Sequence, residues 1–270
     1  MAKTRKILDQ LNREMEISGT PCRIVSLVPS QTELLVDLGL KDDILGITKF
    51  CVHPKELRKE KKIVGGTKNV HFDRIKALEP DIILCNKEEN TKEMVLELEK
   101  IAPVHVSNIE NLDDSLELIR QYGEIFKVGA KASEIEEKIR IRFNDFQNFI
   151  QKKSFRRVAY MIWKKPWMAA GKGTFINYLL EINRFQNVFL EEESRYPEIK
   201  LSEMEEKDVQ LLMLSSEPFP FKESHKEELK KELPGVDVIL VDGEYFSWYG
   251  SRLINAFKYF KSLHLSLQSS

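Results

Sequence analysis

The chain has little with which to do covalent chemistry. Three cysteines in 270 residues, Cys22, Cys51 and Cys85, are too few and too scattered for a disulfide framework. Cys85 closes the apolar run "DIIL", and both it and Cys22 read as small buried residues. The five histidines, His53, His71, His105, His225 and His264, form no H-x-x-x-H. No C-x-x-C accompanies them, which argues against a structural zinc site. Cys51 and His53, two apart, read as ordinary loop residues rather than a metal pair. A G-x-S-x-G elbow, a G-x-G-x-x-G turn and a P-loop are all missing. "GKGT" (171–174) lacks phosphate-loop spacing and reads as a turn before a helix. Charges nearly cancel, at a net −1, so neither nucleic acid nor an anionic membrane is the expected partner. No run reaches the roughly 18 apolar residues of a membrane span, and the first residues hold no apolar stretch of signal-peptide length. As the chain stands a cytoplasmic location is expected, or a periplasmic or surface-anchored one if a leader was removed.

What is present is an alternation of short strands and helices. From Cys22, "RIVSLV" reads as a strand. "PSQTELLVDLGL" reads as a helix with Ser30 as N-cap and Glu33 three residues later. "DDILGIT", "DIILCN" and "APVHVSN" supply further strands. The second half repeats the scheme with "RRVAYMIW" (156–163), "TFINYLLEI", "LSEMEEKDVQLLML" and "GVDVILVDGE". Laid without gaps, residues 71–85 match 200–214 in apolar pattern. Between the halves, Ile135, Ile139, Phe143, Phe146 and Ile150 are spaced for one long amphipathic helix. The expected fold is α/β, with two Rossmann-like lobes of parallel sheet joined by that helix. The divisions are a helical extension over 1–21, based on Ile7, Leu8, Leu11 and Met15, a lobe over 22–110, a linking helical region over 111–153 and a lobe over 154–270.

In open parallel sheets a ligand lies beyond the carboxyl ends of the strands. In the second half those segments hold all three tryptophans, Trp163, Trp167 and Trp248, with Phe219, Phe221, Tyr196, Tyr245 and Phe246. Any one tryptophan is as much at home in a core. Three together point to a flat apolar ligand surface, with Lys164 and Arg252 as polar groups. In the first half the same segments offer Phe50, the "TKN" trio Thr67, Lys68 and Asn69, and Asn86 and Glu88 of "NKEEN". Glu88, Glu217 and Glu244 at strand ends would hydrogen-bond a polar ligand rim, or act as acid and base if the protein were an enzyme.

The stretches "RIVSLVPSQTELLVDLGLKDDILGIT" and "VGGTKNVHFDRIKALEPDIIL", followed by a long helix and a second lobe, resemble the substrate-binding proteins of cobalamin and iron–siderophore ABC importers. These have the class III, helical-backbone fold. "LSSEPFPF" and "EYFSWYGSRL" are similar to a subgroup labelled cobalamin-binding or iron/B12-binding. The resemblance implies a non-enzymatic protein that holds a corrinoid, a ferric siderophore or haem between its lobes as cargo, with no intrinsic cofactor or metal. By position it implies ligand contacts at Phe50, Thr67, Asn86, Met168, Glu198 and Tyr245. It also implies an ABC permease that reads one surface acid per lobe. Here these are Asp73, shorter than the usual glutamate, and Glu203 beside Ser202, so docking is expected to be weak or absent. A monomer is expected. The rival readings are a metallochaperone or chelatase-like enzyme on the same fold, and an intracellular sensor or scaffold.

Overall fold

Ile24, Val25 and Ser26 are fully buried because the strand they form, β3 (Ile24–Ser26), is the middle of a parallel sheet covered on both faces. The computed structural model describes residues 4–268. The chain divides into two compact units, one comprising 1–140 with 249–253 and the other 141–248 with 254–270.

Unit one carries a five-stranded sheet in the order β5 (Lys62–Ile63), β4 (Ile44–Ile47), β3, β6 (Ile82–Asn86), β7 (Val104–Ser107), every pair parallel. Helix α1 (Pro29–Asp37) begins directly after β3. Proline takes its first turn, where a missing N–H costs nothing, and Val28 is the N-cap. Ser30, expected as the cap, is therefore inside the helix. Two short helices follow, α2 (Leu57–Glu60) and α3 (Phe72–Lys76), then α4 (Lys92–Leu98) and α5 (Leu112–Ile125). Asn111 and Asp114 close a reciprocal capping box at the start of α5. The amphipathic pattern over 135–150 is helix α6 (Gly129–Ile150), whose residues are shared between the two units.

The first residues correct the sequence reading. Thr4–Leu8 (β1) and Glu14–Ser18 (β2) form an antiparallel hairpin, not a helix. The two-residue alternation of "EMEIS", with Met15 and Ile17 buried between exposed neighbours, outweighs the helical spacing of Ile7, Leu11 and Met15. Asn12, at φ 58°, makes the turn, and the buried Asp9 carboxylate accepts from the N–H groups of Leu11 and Arg13. Asp9 also accepts from Val106 N–H, while Arg13 donates to the Val104 carbonyl oxygen. Two side chains thus satisfy the outer edge of β7, a way of blunting an edge strand. Cys22 is exposed beside Asp81 rather than buried, whereas Cys85 is buried as expected.

Unit two carries β10 (Phe185–Asn187), β8 (Arg156–Trp163), β11 (Leu211–Ser215) and β12 (Asp237–Val241) as a parallel sheet, with the short β9 (Met168–Ala169) antiparallel to β8. Its helices are α7 (Phe175–Ile182), α8 (Glu203–Glu206), α9 (Glu223–Glu232), α10 (Gly243–Ser247) and α11 (Leu253–Ser266), whose first residue is counted with unit one. The internal repeat is visible in the backbone. The gapless alignment that sets Ile82 of β6 on Leu211 of β11 also sets Glu79 on Asp208, and both adopt the left-handed conformation, at φ 45° and 48°. Each ends the turn between a short helix and the following strand.

The segment Tyr249–Leu253 departs from the expected division at 154, because it packs with unit one. A 3-10 turn (Gly250–Arg252) places Gly250 N–H 2.9 Å from Ser115 Oγ on α5. Gly250 sits at φ 78°, a conformation that favours glycine.

Candidate functional site

On unit two the strand-end loops bring aromatics together. Trp163, the last residue of β8, is 39% exposed. Its indole N–H donates to the Lys165 carbonyl oxygen at 3.0 Å, which fixes the ring, and its edge meets Phe219 with centroids 5.6 Å apart. Trp167 lies parallel to Phe221 at 6.1 Å, and Phe219 and Phe221 meet edge to face at 4.8 Å. The Lys164 ammonium sits 5.6 Å above the Trp167 ring and pairs with Glu228 at 2.5 Å, which holds the Glu228 carboxyl below its ordinary range. Met168 and Tyr196 are half-buried nearby in sequence, and Met168 bridges Glu198.

His225, which sequence reasoning passed over, packs against Phe219 at 5.5 Å and Phe221 at 5.7 Å. Its Nδ1 accepts from Lys222 N–H at 3.0 Å, so the ring caps the start of α9. The signal was its place three residues after a helix start, where a side chain reaches back to the N-cap.

Four residues expected at the ligand wall make contacts within the protein. Phe246 is fully buried, packed on Tyr160 at 5.2 Å and Phe260 at 4.8 Å, and belongs to the core of unit two. Trp248 is 7% exposed, and its indole N–H donates to Glu217 Oε1 at 3.0 Å. Glu217 also accepts from Ser247 Oγ at 2.7 Å, so its carboxylate anchors the turn. Arg252 forms a buried two-pronged pair with Glu33 of α1, at 2.8 and 2.7 Å. Tyr245 and Glu244 remain half-buried; Tyr245 stacks on Tyr259 at 4.8 Å. The strand ends are tightly drawn at Gly243, where a Cβ would lie 2.3 Å from Ser215 Oγ and 2.7 Å from Glu217 Cγ. Gly243→Ala is expected to cost about 1–3 kcal/mol by overpacking, read as a lowered melting temperature.

On unit one the strand ends are polar. Gln31 Nε2 reaches Ser107 Oγ at 2.7 Å and Tyr249 Oη at 2.9 Å, and Tyr122 Oη donates to Gln31 Oε1 at 2.6 Å. Asn86, expected to touch ligand, is buried; its amide donates to Ser107 Oγ at 2.9 Å, so it supports this network. Cys51 is buried 3.1 Å from Thr32 Oγ1, and burial pushes its thiol up, as fits a packing residue. The surface groups are Phe50, 48% exposed with the Lys49 ammonium 5.0 Å from its ring, together with Thr67, Lys68, Asn69 and Glu88. In the same loop desolvation raises the pKa of the Glu89 carboxyl.

The two surface acids begin short helices that precede β6 and β11. Asp73 is exposed in the first turn of α3. Glu203 is half-buried and turned onto its own helix start, Oε1 accepting from Lys200 N–H at 2.6 Å.

Residues 24–237 match a family model described as "Periplasmic binding protein". An ABC transporter substrate-binding lipoprotein of Bacillus subtilis is 27% identical over 187 residues, 66% of this chain and 59% of its own length, so the chain spans less than two thirds of that relative. A vitamin B12-binding protein of Pectobacterium carotovorum is 23% identical over 87% of this chain and 86% of its own. A solved periplasmic haem-binding protein from Pseudomonas aeruginosa superposes with TM-score 0.78 over 90% of this chain and 92% of that one, at 21% identity, which is a likeness of fold.

Proposed function

The chain belongs to the periplasmic binding protein family, and from that premise we propose that it binds a flat metal chelate non-covalently, a corrinoid foremost and haem or a ferric chelate as the alternative. The observation that supports this is the wall formed by Trp163, Trp167 and Phe219 at the carboxyl edge of the unit-two sheet. Indole and phenyl rings held by packing and by a backbone hydrogen bond give a planar ligand area without ordering new side chains. Within unit one, Phe50 and Thr67 at the strand ends are proposed separately as ligand contacts. Members of this family are binding proteins, and the two aligned relatives named above are a transporter's substrate-binding lipoprotein and a vitamin-binding protein. In keeping with that, the proposed role is delivery to an ABC permease. Asp73 supplies one exposed acid, and the inward turn of Glu203 supports weak docking.

The test is titration of intrinsic tryptophan fluorescence with cyanocobalamin, haemin and a ferric catecholate. Saturable quenching by at least one is expected. Trp163→Ala should weaken binding about tenfold, the loss of one stacked ring, with an unchanged melting temperature. No saturable response to any of the three overturns the reading.

A further inference from the structure

The starts of α5, α8 and α9 share one device: a side chain accepts from the backbone N–H three residues before it. Asp114 accepts from Asn111 N–H at 3.2 Å, Glu203 Oε1 from Lys200 N–H at 2.6 Å and His225 Nδ1 from Lys222 N–H at 3.0 Å. A carboxylate or carboxamide is the usual acceptor in this position, and of the three helices α9 uses an imidazole. A carboxylate would cap the helix too, but it has no ring faces to pack. The His225 ring lies 5.5 Å from Phe219 at 51° and 5.7 Å from Phe221 at 87°. These phenyl rings back the two indoles, Phe219 meeting Trp163 and Phe221 lying parallel to Trp167. One imidazole, its direction set by a backbone hydrogen bond, therefore touches both halves of the wall. Leu229 of α9 is fully buried in the same apolar core as Phe221, so the helix is seated without the half-buried His225.

We propose that His225 is a positioning residue of the aromatic wall: its ring holds Phe219 and Phe221 at the angles that present Trp163 and Trp167 to a planar chelate, and it does so while Nδ1 carries no proton. The inference rests on the binding function proposed above. The bond from Lys222 leaves the neutral ring's proton on Nε2. An imidazolium donates from both nitrogens, so protonation sets a second donor against Lys222 N–H and releases the ring to turn. Charged groups surround it. On α9 itself, Glu228 lies one turn on and Lys226 pairs with Glu223 at 2.6 Å. From the loop after β8 come Lys164 and Lys165; Lys164 first, then His225 and Lys165, draw the Glu228 carboxyl below its ordinary range. Glu217, in the loop after β11, is turned to Ser247 and Trp248. Glu228 favours an imidazolium and the two lysines disfavour it, but neither effect returns an acceptor to Lys222 N–H.

The experiment compares the full chain with His225→Gln, which keeps an acceptor at the helix start but no titrating ring, and His225→Phe, which keeps a ring but no acceptor. Near-ultraviolet circular dichroism of the free protein reports how the indoles are held. Fluorescence titration with cyanocobalamin and with haemin reports binding, and melting temperatures are recorded alongside. At pH 8 both variants should bind about threefold to tenfold more weakly than wild type, the scale of one aromatic pair's geometry, while His225→Gln melts with wild type. Between pH 8 and 5, the range in which imidazoles ordinarily change charge, the wild-type dichroism should change and its affinity for cyanocobalamin should fall. Both profiles should be flat in the two variants. Variants that bind like wild type at pH 8, or a wild-type pH profile that survives in His225→Gln, overturn the role of His225 while leaving the binding function standing. Saturable binding of neither probe by wild type fails the function itself, and this inference with it.

Discussion

Arg252→Ala is expected to lower the stability of unit one by about 3–5 kcal/mol, the usual cost of removing one partner from a buried ion pair. Arg252 and Glu33 have side chains only 9% and 18% exposed, and the guanidinium meets both carboxylate oxygens. Burial already raises the Glu33 pKa despite Arg252, with His53 helping to lower it and Asp37 to raise it. Without the arginine that carboxylate keeps its desolvation and loses its main compensating partner. Its pKa rises further, and a group whose folded pKa is raised contributes stability below its unfolded pKa that is lost as pH rises through the folded value. The gap between variant and wild type should therefore narrow as pH falls from 8 to 5. Glu33→Gln in the Arg252→Ala background should recover part of the loss at pH 8. Thermal melts across that range decide it. A variant that melts with wild type at pH 8 would show that the pair does not hold the Tyr249–Leu253 segment.

That segment marks how far the sequence could be read. Strand and helix alternation, the repeat between 71–85 and 200–214, and the long amphipathic helix are periodic features, and periodicity follows from which face is buried. Attachment of Tyr249–Leu253 to unit one depends on partners far away in sequence, Gln31, Glu33 and Ser115. No local pattern announces such partners, so Arg252 looked like a surface group for a ligand. In the hairpin at Thr4–Ser18 the apolar residues satisfy two periods at once, and the deciding feature, the Asp9 carboxylate in the turn, works through bonds to Val106 and Arg13. At the candidate site the sequence located the strand-end loops but not which of their rings face outward. Trp163 ends β8 and Trp248 lies in the segment after β12, yet one is exposed and the other packed.

Trp248→Ala should therefore behave as a core substitution. The indole is 7% exposed, its N–H is committed to Glu217, and the Trp248 backbone N–H closes α10 on the Glu244 carbonyl oxygen at 2.9 Å. Removing the ring empties its volume and takes one donor from a carboxylate that also serves Ser247. Large aromatic truncations in cores cost about 3–5 kcal/mol, which corresponds to a fall on the order of 10 °C in melting temperature for a domain of this size. Trp248→Phe keeps most of the packing but strips the Glu217 partner, and should cost about 1–3 kcal/mol. Trp163→Ala should show the opposite behaviour, with stability kept and chelate binding weakened. Acrylamide quenching gives an independent measure. Deleting Trp163 should reduce the accessible fraction of tryptophan emission, to which the half-buried Trp167 also contributes, and deleting Trp248 in the phenylalanine variant should remove a protected one. If Trp248→Phe folds like wild type yet loses chelate binding while Trp163→Ala binds normally, the ligand wall lies at Trp248 and the assignment of Trp163 is wrong.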